Sequence, residues 1–213
     1  MHGKVFSNCQ ANGRTMWLIL FWIMAVVSFP SARADGSPNR SWEWTWMKGV
    51  NIAGTWENPV SAVYGTQGVE DPANTPGARG RAVSWTDAEG MLWLFSGTGD
   101  KGIPNDLWKY NPGTNQWTWM KGAVDGFCGT YGTQGVTDPA NTPGARSDAV
   151  SWAGADGSLW LFGGNGSGAP NEWGNCGWGW LNDLWKYDPA TNQWTWMKGS
   201  GSVNEYGVYG TQG

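Results

Sequence analysis

Few side chains in this 213-residue sequence can carry chemistry, and the shortage constrains function. Beyond Cys9 near the start, the cysteines are Cys128 and Cys176. A pair of this kind forms a disulfide in an oxidising compartment, the alternative being two free thiols. Trp173, Trp178 and Trp180 crowd a glycine-rich stretch, residues 164–181 (GNGSGAPNEWGNCGWGWL). Their faces can stack on a sugar ring or a protein surface, or fold back over the glycine-rich backbone as packing. Arg79 and Arg146 end a recurring connection. Each can meet an anionic ligand from the rim, or pair with Asp71 or Asp138 in its own connection.

The remaining inventory excludes more than it offers. The single histidine is His2, so a chain without its first residues supplies no Ser-His-Asp or Cys-His pair and no imidazole ligand. Asp87, Glu89 and Asp156 stand in hairpin turns, where aspartate serves the backbone, and no paired carboxylates stand apart for hydrolysis. No catalytic constellation and no cofactor are expected from these residues.

The first 34 residues read as a signal peptide. Lys4 and Arg14 precede the apolar run 16–27 (MWLILFWIMAVV), and residues 31–34 (SARA) give a small-x-small cleavage pattern. Twelve apolar residues fall short of the ~20 that span a bilayer, so cleavage is expected rather than a retained anchor. Removing Lys4, Arg14 and Arg33 leaves 10 basic residues against 17 acids, a net charge of −7. No basic stripe is present, which argues against nucleic acid as a partner. The expected product is secreted, periplasmic or on the cell surface, with no stable membrane span after cleavage.

What must position these side chains is a repeat. Residues 64–79 (YGTQGVEDPANTPGAR) return at 131–146 with one change, Glu70 to Thr137. Residues 105–122 (NDLWKYNPGTNQWTWMKG) return at 182–199 with two. A fixed long period marks an array of supersecondary units that bury their faces against one another. Each unit holds four strand-like segments: 81–85, 91–95, 105–110 and 116–121, then 148–152, 158–162, 182–187 and 193–198. In 159–162 (LWLF) both strand faces are apolar, which predicts a sheet sandwiched between similar sheets. Partial copies stand at 44–49 (WTWMKG) and 209–213 (YGTQG), so a longer reading frame is expected.

The order LWLFGG, insertion, LNDLWKYDPATNQWTWMKG resembles a kelch repeat. Gly163-Gly164, Tyr187, Trp194 and Arg146 fit its landmarks. Tyr110, Trp117 and Arg79 fit in the other copy, where Ser96-Gly97 replaces the glycine pair. The resemblance spans roughly residues 40–213 and implies an all-β fold of kelch-type β-propeller blades, each of four antiparallel strands. Two complete blades plus partial ones make an incomplete ring. The implied organisation is a signal peptide (1–34), an N-terminal outer strand with its connection (35–63), a blade (64–122), a blade with a loop insertion (123–199) and the start of a further repeat (200–213).

In such a meander the second-to-third loop and the connection to the next blade emerge on one face. Cys128 and Cys176 then share that face, and a bridge between them pins the two loops. The functional expectation is a non-catalytic scaffold that binds protein or carbohydrate. The alternative is part of a galactose-oxidase-like or other carbohydrate-active propeller enzyme. The copper enzymes of that group use histidine and tyrosine ligands with a cysteine-linked tyrosine, none of which these residues match. A fold alone does not choose between them.

Overall fold

The computed structural model describes residues 44–51, 60–99, 102–123 and 125–212, with short backbone pairings at Met24–Ala25, Ser31–Ala32 and Pro38–Asn39. Most of the expected leader (1–34) and much of 35–63 lie outside the described residues.

Alternating apolar residues and tight turns produce two antiparallel meanders. In the first sheet Val83–Thr86, Leu92–Phe95, Leu107–Asn111 and Gln116–Lys121 pair in that order. In the second the order is Val150–Ala153, Leu159–Gly166, Gly179–Asp188 and Gln193–Lys198. All eight expected segments are strands, and no helix occurs among the described residues.

Turn chemistry sets the hairpins. Asp87 accepts from Glu89 N (3.1 Å), Met91 N (2.8 Å) and, through its other oxygen, Trp93 Nε1 (2.7 Å). Asp156 accepts from Ser158 N at 3.2 Å. These carboxylates serve the backbone, as short acidic side chains in turns commonly do. Between the third and fourth strands Asn115 and Asn192 adopt left-handed φ angles of 58° and 56°. Each accepts a tyrosine hydroxyl, from Tyr110 (2.7 Å) and Tyr187 (2.8 Å).

Two features go beyond the expected blades. A two-residue strand from the preceding connection adds to each outer edge: Glu70–Asp71 beside Gln116–Lys121, and Thr137–Asp138 beside Gln193–Lys198. Asn74 and Asn141 hold those connections down. Their amides donate to Val69 O and Trp117 O (3.0 and 3.1 Å), and to Val136 O and Trp194 O (3.1 and 3.2 Å). The asparagine oxygen lies over the glycine that follows the repeat's tyrosine, where a Cβ on Gly65 would come 2.3 Å from Asn74 Oδ1. Second, the insertion of the second blade is not all loop. Its ends continue the hairpin, with Asn165 opposite Trp180 and Gly166 opposite Gly179.

The main core lies between the sheets. Val83, Trp85, Trp93, Phe95, Leu107 and Met120 of the first pack on Tyr131, Leu159, Leu161, Trp185, Tyr187 and Trp194 of the second. Leu94, Trp108, Tyr110 and Trp117 form a second cluster on the first sheet's opposite face. Both faces of Leu92–Phe95 are therefore apolar and covered. Burying each large side chain contributes about 1.5–3 kcal/mol.

Residues 44–48 repeat the sheet-to-sheet relation one step earlier. Lys48 Nζ donates to Pro72 O (2.8 Å) as Lys121 Nζ donates to Pro139 O (2.6 Å). Asn115 Nδ2 donates to Met47 O (2.8 Å) as Asn192 Nδ2 donates to Met120 O (3.2 Å). This segment stands to the first sheet as Gln116–Lys121 stands to the second.

Candidate functional site

The connection into the second blade and that blade's insertion are bound together. Cys128 and Cys176 form a disulfide, their Cα atoms 5.5 Å apart. Around it Gly129 N donates to Gly168 O (2.9 Å), Gly168 N to Cys176 O (3.3 Å) and Ser167 N to Ala145 O (2.9 Å). The approach is close enough to require glycine, since a Cβ on Gly144 would sit 2.0 Å from Ser167 O. Two loops from different parts of the sequence thus make one rigid shelf.

On this shelf the tryptophans do not bury themselves. Trp173 is 82% exposed at the tip of a tight turn. Asn171 builds that turn: its side-chain oxygen accepts from Trp173 N (3.0 Å) and Asn175 N (2.9 Å), and its N–H reaches Asn175 O at 2.9 Å. Trp178 stacks on Phe127 of the facing connection, centroids 5.6 Å apart and planes 24° from parallel. Trp180 is exposed while its backbone is clamped both ways by Asn204, at 2.9 and 2.7 Å. The packing reading fits Trp178 in part and does not fit Trp173 or Trp180. Trp119 and Trp196 are packing residues, each set edge-on to a tyrosine, Tyr64 or Tyr131.

The arginines stand elsewhere. Arg146 is fully buried and meets Asp183 through two parallel bonds, Nη1–Oδ1 2.7 Å and Nη2–Oδ2 2.8 Å. It also donates to Gly163 O and Gly144 O, both at 3.0 Å. Arg79 repeats this with Asp106 at 2.6 and 2.9 Å. Neither arginine lines the surface, and neither pairs with Asp71 or Asp138. Those two carboxylates cap their own turns, accepting from Ala73 N (2.7 Å) and Ala140 N (2.8 Å).

Asp183 further accepts from Tyr131 Oη (2.6 Å) and Trp185 Nε1 (2.7 Å), and Asp106 likewise from Tyr64 (2.8 Å) and Trp108 (2.7 Å). Burial pushes the Asp183 pKa up, but the Arg146 charge and four donated bonds outweigh it and hold it below the ordinary range. Burial, then the neighbouring carboxylate, pushes Tyr131 and Tyr64 well above the ordinary tyrosine value. These are satisfied buried networks that set the shape of the fold. Sequence reading passed over Asp106, Asp183, Tyr64 and Tyr131, whose signal was recurrence in both copies.

Two stacked four-stranded antiparallel meanders, neither closed into a barrel, define the class: an all-β protein with the architecture of an incomplete propeller. No family model matches the sequence, and no curated protein does. Among solved structures it is similar to one described as "Structure of YjhT", at 21% identity and a TM-score of 0.40, over 60% of this chain and 40% of that one. The chain thus spans less than half the length of that protein.

Proposed function

We infer that these are kelch-type blades of an exported, non-catalytic scaffold that binds protein or carbohydrate at the disulfide-held loop shelf. The observation that carries the reading is Trp173, which is 82% exposed on a main chain fixed by the Asn171 turn. An exposed indole carried on a backbone already fixed in a turn requires little main-chain ordering on binding. Trp178 on Phe127, and exposed Trp180, extend the aromatic area.

The charge pattern narrows the partner. No lysine or arginine occurs in residues 122–145, 147–185 or 199–213. Anionic partners therefore lack counter-charges there, and neutral sugars or weakly charged proteins suit it best. A disulfide beside the shelf fits an oxidising compartment, which supports export.

The test is a binding screen of the purified protein against neutral oligosaccharides and extracellular proteins, with heparin as the anionic control. A ligand whose affinity falls about tenfold in Trp173→Ala, at unchanged thermal stability, supports the assignment. Binding insensitive to Trp173, Trp178 and Trp180, or turnover of a screened sugar, overturns it.

A further inference from the structure

One kind of turn recurs through the chain, built by a side-chain oxygen that accepts the main-chain N–H two residues on. Asp71, Asp138 and Asp188 accept in this way from Ala73 N (2.7 Å), Ala140 N (2.8 Å) and Ala190 N (2.9 Å). Asn111, which stands where the second blade has Asp188, accepts from Gly113 N at 2.9 Å. Aspartate and asparagine therefore make the same turn. What differs is the group left over: a further acceptor oxygen on aspartate, an NH2 donor on asparagine.

On the loop shelf the accepting residue is asparagine each time. Asn171 accepts from Trp173 N (3.0 Å), and Asn175 from Gly177 N (2.9 Å), the residue before Trp178. Asn204 accepts from Trp180 N at 2.9 Å. Each oxygen is taken up by the main chain, and the three NH2 groups have no hydrogen-bond partner among the described residues. Every donor is thus tied to the main chain at or beside an exposed indole, Trp173, Trp178 or Trp180. Glu172 and Glu205 are exposed next to Asn171 and Asn204, and no base accompanies them.

A matching ligand offers C–H faces to the indoles, acceptor oxygens to the amides and hydroxyl donors to the acids. A pyranose has all three. A basic peptide would pair with Glu172 and Glu205 but bring only donors to the amide donors. An anionic polymer would meet acids without a counter-charge. Trp178 and Trp180 are two residues apart, at most about 7 Å along the chain. That is close enough to contact neighbouring units of one ligand.

We propose that the shelf binds a neutral oligosaccharide chain, several pyranose units at once, with Trp173, Trp178 and Trp180 stacking on its units and the amides of Asn171, Asn175 and Asn204 donating to its oxygens. This rests on the reading of the shelf as a binding surface and restricts that surface to one ligand class.

The test is calorimetry of the purified protein with neutral hexasaccharides of glucose, mannose, xylose and N-acetylglucosamine, and with the matching disaccharides. At least one hexamer should bind, about tenfold or more tighter than its disaccharide, with equal affinity at low and high salt. Asn171→Asp keeps the turn oxygen, as the exchange of Asn111 for Asp188 does, and removes the donor. It should weaken the hexamer about fivefold at unchanged Tm. Equal affinity in Asn171→Asp confines this residue to the turn and overturns the proposal. Silence of every hexamer, or equal affinity for hexamer and disaccharide, overturns it too. A protein ligand lost in Trp173→Ala, with every hexamer silent, overturns the oligosaccharide and leaves the shelf as a binding surface. A hexamer bound equally by the triple variant Trp173→Ala, Trp178→Ala, Trp180→Ala overturns both.

Discussion

Arg146 and Asp183 face each other as a closed fork, both side chains at 0% exposure, and Arg79 and Asp106 make the same fork in the preceding blade. Removing one member of such a pair strands a buried charge, which costs about 3–5 kcal/mol. Asp183→Asn and Arg146→Met should each lower the stability measured by urea unfolding by that amount. A loss under about 1 kcal/mol would show the fork to be solvated.

Stability should fall at both ends of the pH scale. Asp183 has a depressed folded pKa, so its contribution is complete above about pH 4, the unfolded value, and is lost as pH drops through the folded one. Tyr64 and Tyr131 have raised pKa values, so theirs is complete below about pH 10 and is lost as pH climbs toward the folded values. Urea midpoints across the scale should show a plateau between these limits. Persistence of the midpoint at pH 2 would contradict the assignment for Asp183.

Reduction of the disulfide should loosen the chain without dissolving the sheets. Cys128 and Cys176 are 48 residues apart, a loop for which chain entropy gives about 4 kcal/mol at most. The Cys128→Ser, Cys176→Ser double variant should melt at lower temperature and expose the backbone of residues 167–177 to proteolysis. Equal melting curves for oxidised and reduced protein would remove the bridge from the stability account.

Ser96 tests a departure from the repeat's own pattern. It takes a left-handed φ of 55° where the second blade has Gly163, a strain of about 1–2 kcal/mol. Its hydroxyl accepts from Arg146 N at 2.8 Å and donates to Pro104 O at 2.6 Å. Ser96→Gly relieves the strain but orphans a buried N–H, a loss of about 1–3 kcal/mol. Net destabilisation near 1 kcal/mol is expected by the same balance; a stabilised variant would mean strain dominates.

The blades were legible because strand periodicity, turn residues and near-identical copies all pointed one way. All eight expected strands form, displaced by no more than a few residues. The shared location of Cys128 and Cys176 followed from meander connectivity. What stayed hidden depended on contacts between segments distant in sequence. Arg146 pairs with Asp183 across 37 residues rather than with nearby Asp138, because the connection folds outward to edge the fourth strand. The fate of Trp173 was hidden too, since composition does not tell an exposed indole from one folded over glycines. Val150 and Val83 read alike as letters, and only the packing of the second sheet on the first separates them.

The short edge strands Glu70–Asp71 and Thr137–Asp138 bear on misfolding. A chain that spells the same strand twice invites its copies to pair edge to edge, within one molecule or between neighbours. Here each outer strand is already partly occupied by its own connection and ends in charge, with Lys121 and Lys198 at the strand termini. Little ladder is left for a stray strand to read. Repetition, a hazard for fidelity elsewhere, is tolerated because each of the two complete copies brings the cover for its own edge.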